Sequence, residues 1–170
     1  LARTSVFAVL PDRIAVGAQH EALYAEYDSK LMQVRRVPTI TSSAPVTAET
    51  ERDWEKARSN LIPRGGIAPA TSARYATALP AYRDFVSGAD GRLWVQDPVR
   101  PGAYPLVWTG YLDGRPTARA ELPPRFFPTE FGHDWVVGIA FDDDGIERVQ
   151  VHKLVAGVHS SRSLPPRDAQ

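Results

Sequence analysis

GADGRLWVQD (residues 88–97) is the stretch of sequence that decides the fold. Its aspartate-glycine pair is typical of a tight turn, and the apolar run LWV that follows is typical of a strand. Two weaker echoes come later in the chain, GYLDGRPTARAEL (110–122) and FDDDGIERVQVHKL (141–154). The chain therefore repeats one small turn-and-strand unit.

The residues before this stretch predict four short strands joined by short turns. They are TSVFAVL (4–10), RIAVGA (13–18), ALYAEYD (22–28) and KLMQVRRV (30–37). All four are rich in β-branched, aromatic and alternating residues, and turn residues separate them. Short connections between such strands favour an antiparallel meander.

The second half of the chain repeats this pattern. Four strands are predicted in YRDFVS (82–87), RLWVQ (92–96), LVWTGYL (106–112) and TARAEL (117–122). Three more follow in FFPTEF (126–131), WVVGIAF (135–141) and ERVQVHKL (147–154). No strands alternate with helices, so a parallel sheet is not expected.

One helix is predicted between the two halves, at about residues 47–61. Thr47 is a favourable N-cap, and Glu49 and Glu51 place negative charge in the first turn. We expect residues 1–155 to form one unit around this inserted helix. Residues 156–170 are polar and contain proline, which predicts a mobile tail.

Composition excludes several classes of function. The chain has 170 residues, 43% of them hydrophobic, and its 20 basic side chains balance its 20 acidic ones. A net charge of zero argues against nucleic acid as a partner, because phosphate binding needs a basic surface. No apolar run approaches the length of a membrane span, so no membrane partner is expected. The absence of cysteine excludes disulfides and thiolate metal sites but leaves the cellular compartment open.

Successive four-stranded meanders are typical of a β-propeller, in which each meander forms one blade. The strands group into two full blades, residues 4–37 and 82–122, and one blade of three strands, residues 126–154. A β-sandwich with an inserted helix has a similar number of strands. The strand pattern alone leaves both folds open.

Three stretches resemble the C-terminal half of bacterial six-bladed β-propeller proteins of the NHL-like type. They are LPAYRDFVSGADGRLWVQD (79–97), ELPPRFFPTEFGHDWVVGIAFDDDGIERVQVHKL (121–154), and YDSKLMQVRRV (27–37) with APVTAETERDWEKA (44–57). The resemblance covers nearly all of residues 4–154 in order. It implies an all-β chain that is half of a six-bladed propeller, with about three four-stranded antiparallel blades and one inserted helix. An extracytoplasmic location is what the parent family suggests.

Three blades alone would leave two exposed blade faces and unpaired strand edges, which recruit partners. A C2 homodimer of two half-propellers would close a ring of six, so a second copy of the chain is the predicted partner. The incomplete third blade would then take its missing strand from the N-terminal segment of the partner or from residues 155–158.

The loops between the second and third strands of the blades share one end of such a ring and carry the candidate site. They hold His20 and Glu21, then Asp97 and Arg100, then Asp142 with its acidic neighbours. A histidine with several carboxylates suits a divalent metal, either zinc or calcium. We predict His20, Asp97 and Asp142 as the metal ligands. The alternative is that these acidic loops are solvated turns.

In architecture alone the chain resembles six-bladed lactonases and phosphotriesterases, and this resemblance implies a metal-dependent hydrolase that acts on ester, lactone or phosphotriester bonds of a small-molecule substrate. In this hypothesis Asp142 or Glu21 is the base and Arg100 stabilises the developing anion. The metal-binding glutamate and asparagines of that family have no counterpart here, because Ser5, Arg83 and Phe127 stand in their places. Two alternatives stay open: a non-catalytic binding or interaction propeller, and an inactive fragment that dimerises to cover its edges.

Overall fold

The computed structural model describes residues 5–41, 44–61, 78–98, 105–142 and 144–155. Within these ranges the chain is all-β with one helix, as predicted. The strands are β1 Ser5–Val9, β2 Ile14–Ala18, β3 Leu23–Tyr27, β4 Gln33–Pro38, β5 Phe85–Ser87, β6 Leu93–Gln96, β7 Leu106–Leu112, β8 Arg115–Leu122, β9 Phe126–Phe131, β10 Trp135–Phe141 and β11 Glu147–Lys153. The helix α1 is Ala48–Leu61. The predicted tail, residues 156–170, lies outside the described residues.

The strands form three antiparallel sheets, each a meander in chain order. Sheet I is β1–β4, sheet II is β5–β8 and sheet III is β9–β11. The first two have four strands and the third has three, in the grouping that the sequence predicts. All three sheets are open.

One turn recurs in all three sheets, at residues 28–32, 88–92 and 142–146. In each, the N–H of the first residue donates to the carbonyl of the fifth, and the N–H of the fourth donates to the carbonyl of the first. The fourth residue has positive φ in every case: Leu31 at 60°, Gly91 at 80° and Gly145 at 78°. Glycine adopts this left-handed conformation without strain, whereas leucine does not. Two of the three turn-and-strand units of the sequence, at 88–97 and 141–154, therefore share this turn, whereas the unit at 110–122 has a two-residue turn at Asp113-Gly114.

The helix begins where the sequence predicts. The Oγ1 of Thr47 accepts a hydrogen bond from the N–H of Thr50 at 3.2 Å, which satisfies one of the free donors of the first turn. Glu49 and Glu51 lie in that turn, where their negative charges interact favourably with the positive end of the helix dipole. Thr47 is therefore the N-cap.

One apolar core lies between sheets I and II, and a second lies between sheets II and III. In the first, the ring of Tyr24 in sheet I meets the edge of Phe85 in sheet II, with centroids 5.6 Å apart. In the second, Trp94 of sheet II stacks on Phe131 of sheet III. Sheet II is therefore the middle layer of a stack of three sheets. A β-sandwich has two sheets and one core, so the described residues do not form the sandwich considered above.

The first strands of the sheets lie side by side, with β1 next to β5 and β5 next to β9. Gly88 forms a parallel bridge with Phe131, and the N–H of Ala89 donates to the carbonyl of Phe131 at 2.7 Å. Strands β5 and β9 therefore run in the same direction. Among the described residues, no helix is long and apolar enough to cross a membrane.

Candidate functional site

The connections that follow β2, β6 and β10 lie at one end of the stack. The N–H of Ala81 donates to the carbonyl of Gln19 at 2.7 Å, and the N–H of Arg83 donates to the carbonyl of Gln96 at 2.9 Å. These bonds bring the ends of β2 and β6 to the same segment. Because β5 and β9 are parallel, the turn after β10 lies at that end as well. We call this the Asp97 end.

His20 and Glu21 lie in the exposed turn between β2 and β3. The His20 Nε2 is 3.8 Å from Glu21 Oε1, and Glu21 Oε2 is 3.9 Å from the Nη2 of Arg36 on β4. Both contacts are between half-exposed side chains of one sheet, where an ion pair contributes about 0.2–1 kcal/mol. The arrangement is that of a solvated surface turn.

Asp97 follows β6 and is the candidate whose electrostatics are perturbed. Its Oδ1 accepts a hydrogen bond from the hydroxyl of the buried Thr109 at 3.3 Å. Burial raises the pKa of the Asp97 carboxyl above its ordinary value, against the opposing effects of that hydrogen bond and of the charge on Arg119. Partial burial of this kind makes a carboxyl more basic and is common where carboxylates exchange protons with a ligand.

Asp142 holds its own turn together. Its Oδ1 accepts the N–H groups of Asp144 at 3.1 Å and Ile146 at 2.9 Å, and its Oδ2 is 3.2 Å from the Nη2 of Arg148. Asp28 plays the same part in sheet I, where its Oδ1 accepts the N–H groups of Lys30 and Met32. The carboxylate of Asp142 therefore stabilises its own turn, as the carboxylate of Asp28 does in the turn at the other end of the stack.

Arg100, the predicted anion-stabilising residue, lies outside the described residues, as does Asp143. Within the part of the chain that the structure describes, no group of three or more His, Cys, Asp or Glu side chains is placed to hold a metal ion. Ligand atoms must come within about 2–2.6 Å of a metal, while packed sheets lie about 10 Å apart. The metal set of His20, Asp97 and Asp142, which draws one residue from each sheet, stays a prediction.

A charge cluster around the buried Glu26, at the opposite end, was not predicted from the sequence. Glu26 of β3 is 3% exposed, and its Oε2 lies 3.7 Å from both the Arg13 Nη1 and the Arg35 Nε. Asp113, in the turn between β7 and β8, is 3.8 Å from Arg13 and 3.9 Å from Arg35. The two arginines belong to sheet I and Asp113 belongs to sheet II, so the cluster ties these two sheets together. We call it the Glu26 cluster.

The outer face of sheet I is apolar and exposed. Phe7 on β1 pairs across the sheet with Val16 on β2, and Val9 pairs with Ile14. Phe7, Val9 and Val16 are all exposed, although residues of these types are usually buried. Apolar patches of this kind are uncommon on the surfaces of monomeric proteins.

The outer face of sheet III is apolar as well. Phe127, Ile139 and Val149 form one row across its three strands, and Val137 and Val151 pair beside it. Phe127, Val149 and Val151 are exposed. Both outer sheets of the stack therefore have an apolar outer face. The sequence predicts these surfaces only as the exposed faces of the first and last blades.

No protein-family model, no curated protein and no solved structure matches this chain.

Proposed function

We propose that the chain is a non-catalytic interaction module, half of a six-bladed β-propeller, that associates with a second copy to close a C2 ring. The observation that carries the proposal is the pair of apolar faces, one on each outer sheet of the stack. Burial of such surface contributes roughly 25 cal/mol per Å², which drives association when a complementary face is supplied. A ring of two copies would cover all of these faces.

The order of the sheets supports the propeller part of the proposal. Each sheet is a meander whose first strand lies beside the first strand of the next sheet. Propellers have the same order, with blades packed face to face and their first strands around a central channel. Closure also covers the exposed apolar sheet faces, which are otherwise prone to association.

The test is the solution mass of the chain by light scattering across a range of concentrations. We expect a dimer for the wild type and a monomer for Phe7→Asp, which places a charge on the outer face of sheet I. Met32→Asp is the matched control, because Met32 is 64% exposed but lies in the turn before β4. It should remain dimeric. A monomeric wild type at every concentration would overturn the proposal.

The second candidate function is the metal-dependent hydrolase of ester, lactone or phosphotriester bonds. The observation in its favour is Asp97, a partly buried carboxyl whose raised pKa suits it to accept a proton from a water molecule. In that role Asp97 would serve as the base rather than as a ligand. A bound zinc or calcium ion would polarise the substrate oxygen, and His20 is the predicted nitrogen ligand.

Hydrolysis assays with zinc or calcium, before and after treatment with a chelator, test this second function. Activity that the chelator removes and zinc or calcium restores would support it, provided that His20→Ala loses the activity. His133→Ala is the control, since His133 lies in the exposed turn between β9 and β10 at the other end of the stack. Equal activity in both variants would exclude His20 as a ligand.

A further inference from the structure

The three sheets carry the same row of side chains across their strands. In sheet I the row is Phe7, Val16, Ala25 and Arg36. In sheet II it is Phe85, Val95, Thr109 and Arg119. In sheet III, which has three strands, it is Phe126, Ala140 and Arg148. Each row begins with phenylalanine on the first strand and ends with arginine on the last.

The rows of sheets II and III face the sheet that precedes them in the chain. Phe85 is packed against sheet I and is 5% exposed, and Phe126 is packed against sheet II and is 1% exposed. Phe7 holds the same place in sheet I, which no described sheet precedes, and it is 69% exposed. Sheet I therefore has the residues that its neighbours use to receive a preceding sheet.

The chain also carries a surface that would fill this place. The outer face of sheet III is the side away from sheet II. It is equivalent to the face of sheet I that contacts sheet II and to the face of sheet II that contacts sheet III. Its exposed Phe127, Val149 and Val151 supply apolar side chains, as Tyr24 does when sheet I meets Phe85. One chain thus carries both surfaces that a sheet-to-sheet contact needs, one on the outer face of sheet I and the other on the outer face of sheet III.

We infer that the outer face of sheet III in a second copy packs on the outer face of sheet I, in the arrangement that sheets I and II already have. This inference rests on the proposed function and names the surfaces that make the dimer. Because the two faces differ, the contact occurs twice in the C2 ring, with each copy giving sheet III and receiving on sheet I. Neither face packs on its own equivalent.

Charge complementarity supports this choice of partner. Arg36 ends the row on β4 and is 60% exposed at its side chain, on the part of the strand near the Asp97 end. Glu147 is the first residue of β11, also at the Asp97 end, and pairs with Phe141 on the outer face of sheet III. Packing sheet III on sheet I brings these opposite charges to the same rim of the contact.

Thiol cross-linking tests the inference directly, because the chain has no cysteine. Arg36→Cys and Glu147→Cys each introduce one thiol at the rim. Packed sheets lie about 10 Å apart, too far for a disulfide, so a short bismaleimide is the probe. We expect a covalent dimer when the two variants are mixed and none from either variant alone. Arg119→Cys mixed with Glu147→Cys is the control, because Arg119 ends the equivalent row in sheet II, and it should give no covalent dimer.

Each result decides between the inference and its alternatives. A covalent dimer from Arg36→Cys alone or Glu147→Cys alone would mean that like faces pair, which overturns the inference but leaves the interaction module standing. A wild-type dimer with no cross-link in the mixture overturns the inference as well. A monomeric wild type overturns the proposed function itself.

Charge reversal provides a second readout that needs no cross-linker. Arg36→Glu and Glu147→Arg should each raise the dissociation constant of the dimer, by about tenfold, because the pair occurs twice in the ring. The double variant should regain most of the wild-type affinity. Additive weakening in the double variant would contradict the pairing of these two residues.

Discussion

The indole of Trp94 stacks on the ring of Phe131, with centroids 4.2 Å apart and planes 12° from parallel. Phe131 also contacts Trp108, with centroids 5.7 Å apart, and its carbonyl accepts the N–H of Ala89. One side chain of sheet III therefore meets two tryptophans of sheet II, while its backbone bonds to the same sheet. Phe131 therefore joins sheet III to sheet II through both its side chain and its backbone.

Replacing Phe131 by alanine should lower the free energy of unfolding by about 3–5 kcal/mol, because it leaves a cavity between two sheets that cannot close around it. Urea denaturation followed by tryptophan fluorescence measures the change. Ile146→Ala is the control, because Ile146 is exposed in the turn before β11 and its loss should cost less than about 0.5 kcal/mol. Equal costs in both variants would mean that the contact between sheets II and III is not formed as described.

Glu26→Gln should destabilise the protein by about 3 kcal/mol. The substitution keeps the shape of the side chain but leaves the guanidinium groups of Arg13 and Arg35 around an uncharged amide. Chemical denaturation at pH 7 measures the loss. The control is Glu121→Gln, which removes an exposed pair with Arg119 and should cost less than about 1 kcal/mol. A small effect at Glu26 would show that solvation and the nearby Asp113, rather than Glu26, stabilise the charges of the two arginines.

Leu31→Gly should stabilise the protein by about 0.5 kcal/mol. Leu31 has a φ of 60°, a conformation that costs a residue with a side chain about 1–2 kcal/mol. Glycine avoids this strain, but it loses more conformational entropy on folding, which offsets part of the gain. The reverse change, Gly145→Leu, tests the same turn in sheet III and should destabilise the protein by a similar amount. Thermal unfolding of both variants checks the prediction. A loss of stability in Leu31→Gly would show that its side chain has a contact that outweighs the strain.

Asp97→Asn should raise stability at pH 7 but not at pH 3. Burial raises the folded-state pKa of Asp97, so the folded protein disfavours the ionised form. The folded protein therefore carries a penalty above that pKa, and the penalty disappears as the pH falls below the pKa of the unfolded chain. Asparagine carries no charge, so the difference in unfolding free energy between variant and wild type should grow from pH 3 to pH 7.

Asp134→Asn serves as the comparison for Asp97→Asn. Asp134 is an exposed residue in the turn before β10, at the end of the stack away from Asp97. Because its side chain is exposed, its substitution should change the free energy of unfolding at pH 7 by less than about 0.5 kcal/mol. A parallel pH dependence for Asp97→Asn and wild type would remove the main observation in favour of a catalytic role for Asp97.

The strands and the helix were predictable because their ends carry strong local signals. Aspartate-glycine pairs are typical of tight turns, and in the structure Gly91, Gly114 and Gly145, each of which follows an aspartate, all have positive φ. The Thr47 cap likewise fixes the start of the helix. These signals depend on a few neighbouring residues, so a single sequence contains them in full.

The charges at the two ends were harder to predict. The Glu26 cluster draws on four different segments, and the alternation in ALYAEYD places Glu26 on the same face as Tyr24 without naming its partners. For the predicted metal site, the sequence indicates which turns lie together but not how far apart their side chains are. Strand order brings the turns of His20, Asp97 and Asp142 to one end, but the distance between sheets decides whether their side chains meet.

The two outer faces have a further consequence for the state of the protein at high concentration. A surface that binds a different surface on the next copy can add copies without limit, and it ends in a closed ring only if the rotation between successive sheets divides a full turn evenly. Inside the chain, sheets I and II meet closely at Gly114, where an added Cβ would lie 2.9 Å from the Cδ of Arg35. In the proposed ring, a bulkier residue at Gly114 that changed the angle between sheets I and II would prevent closure and let further copies add.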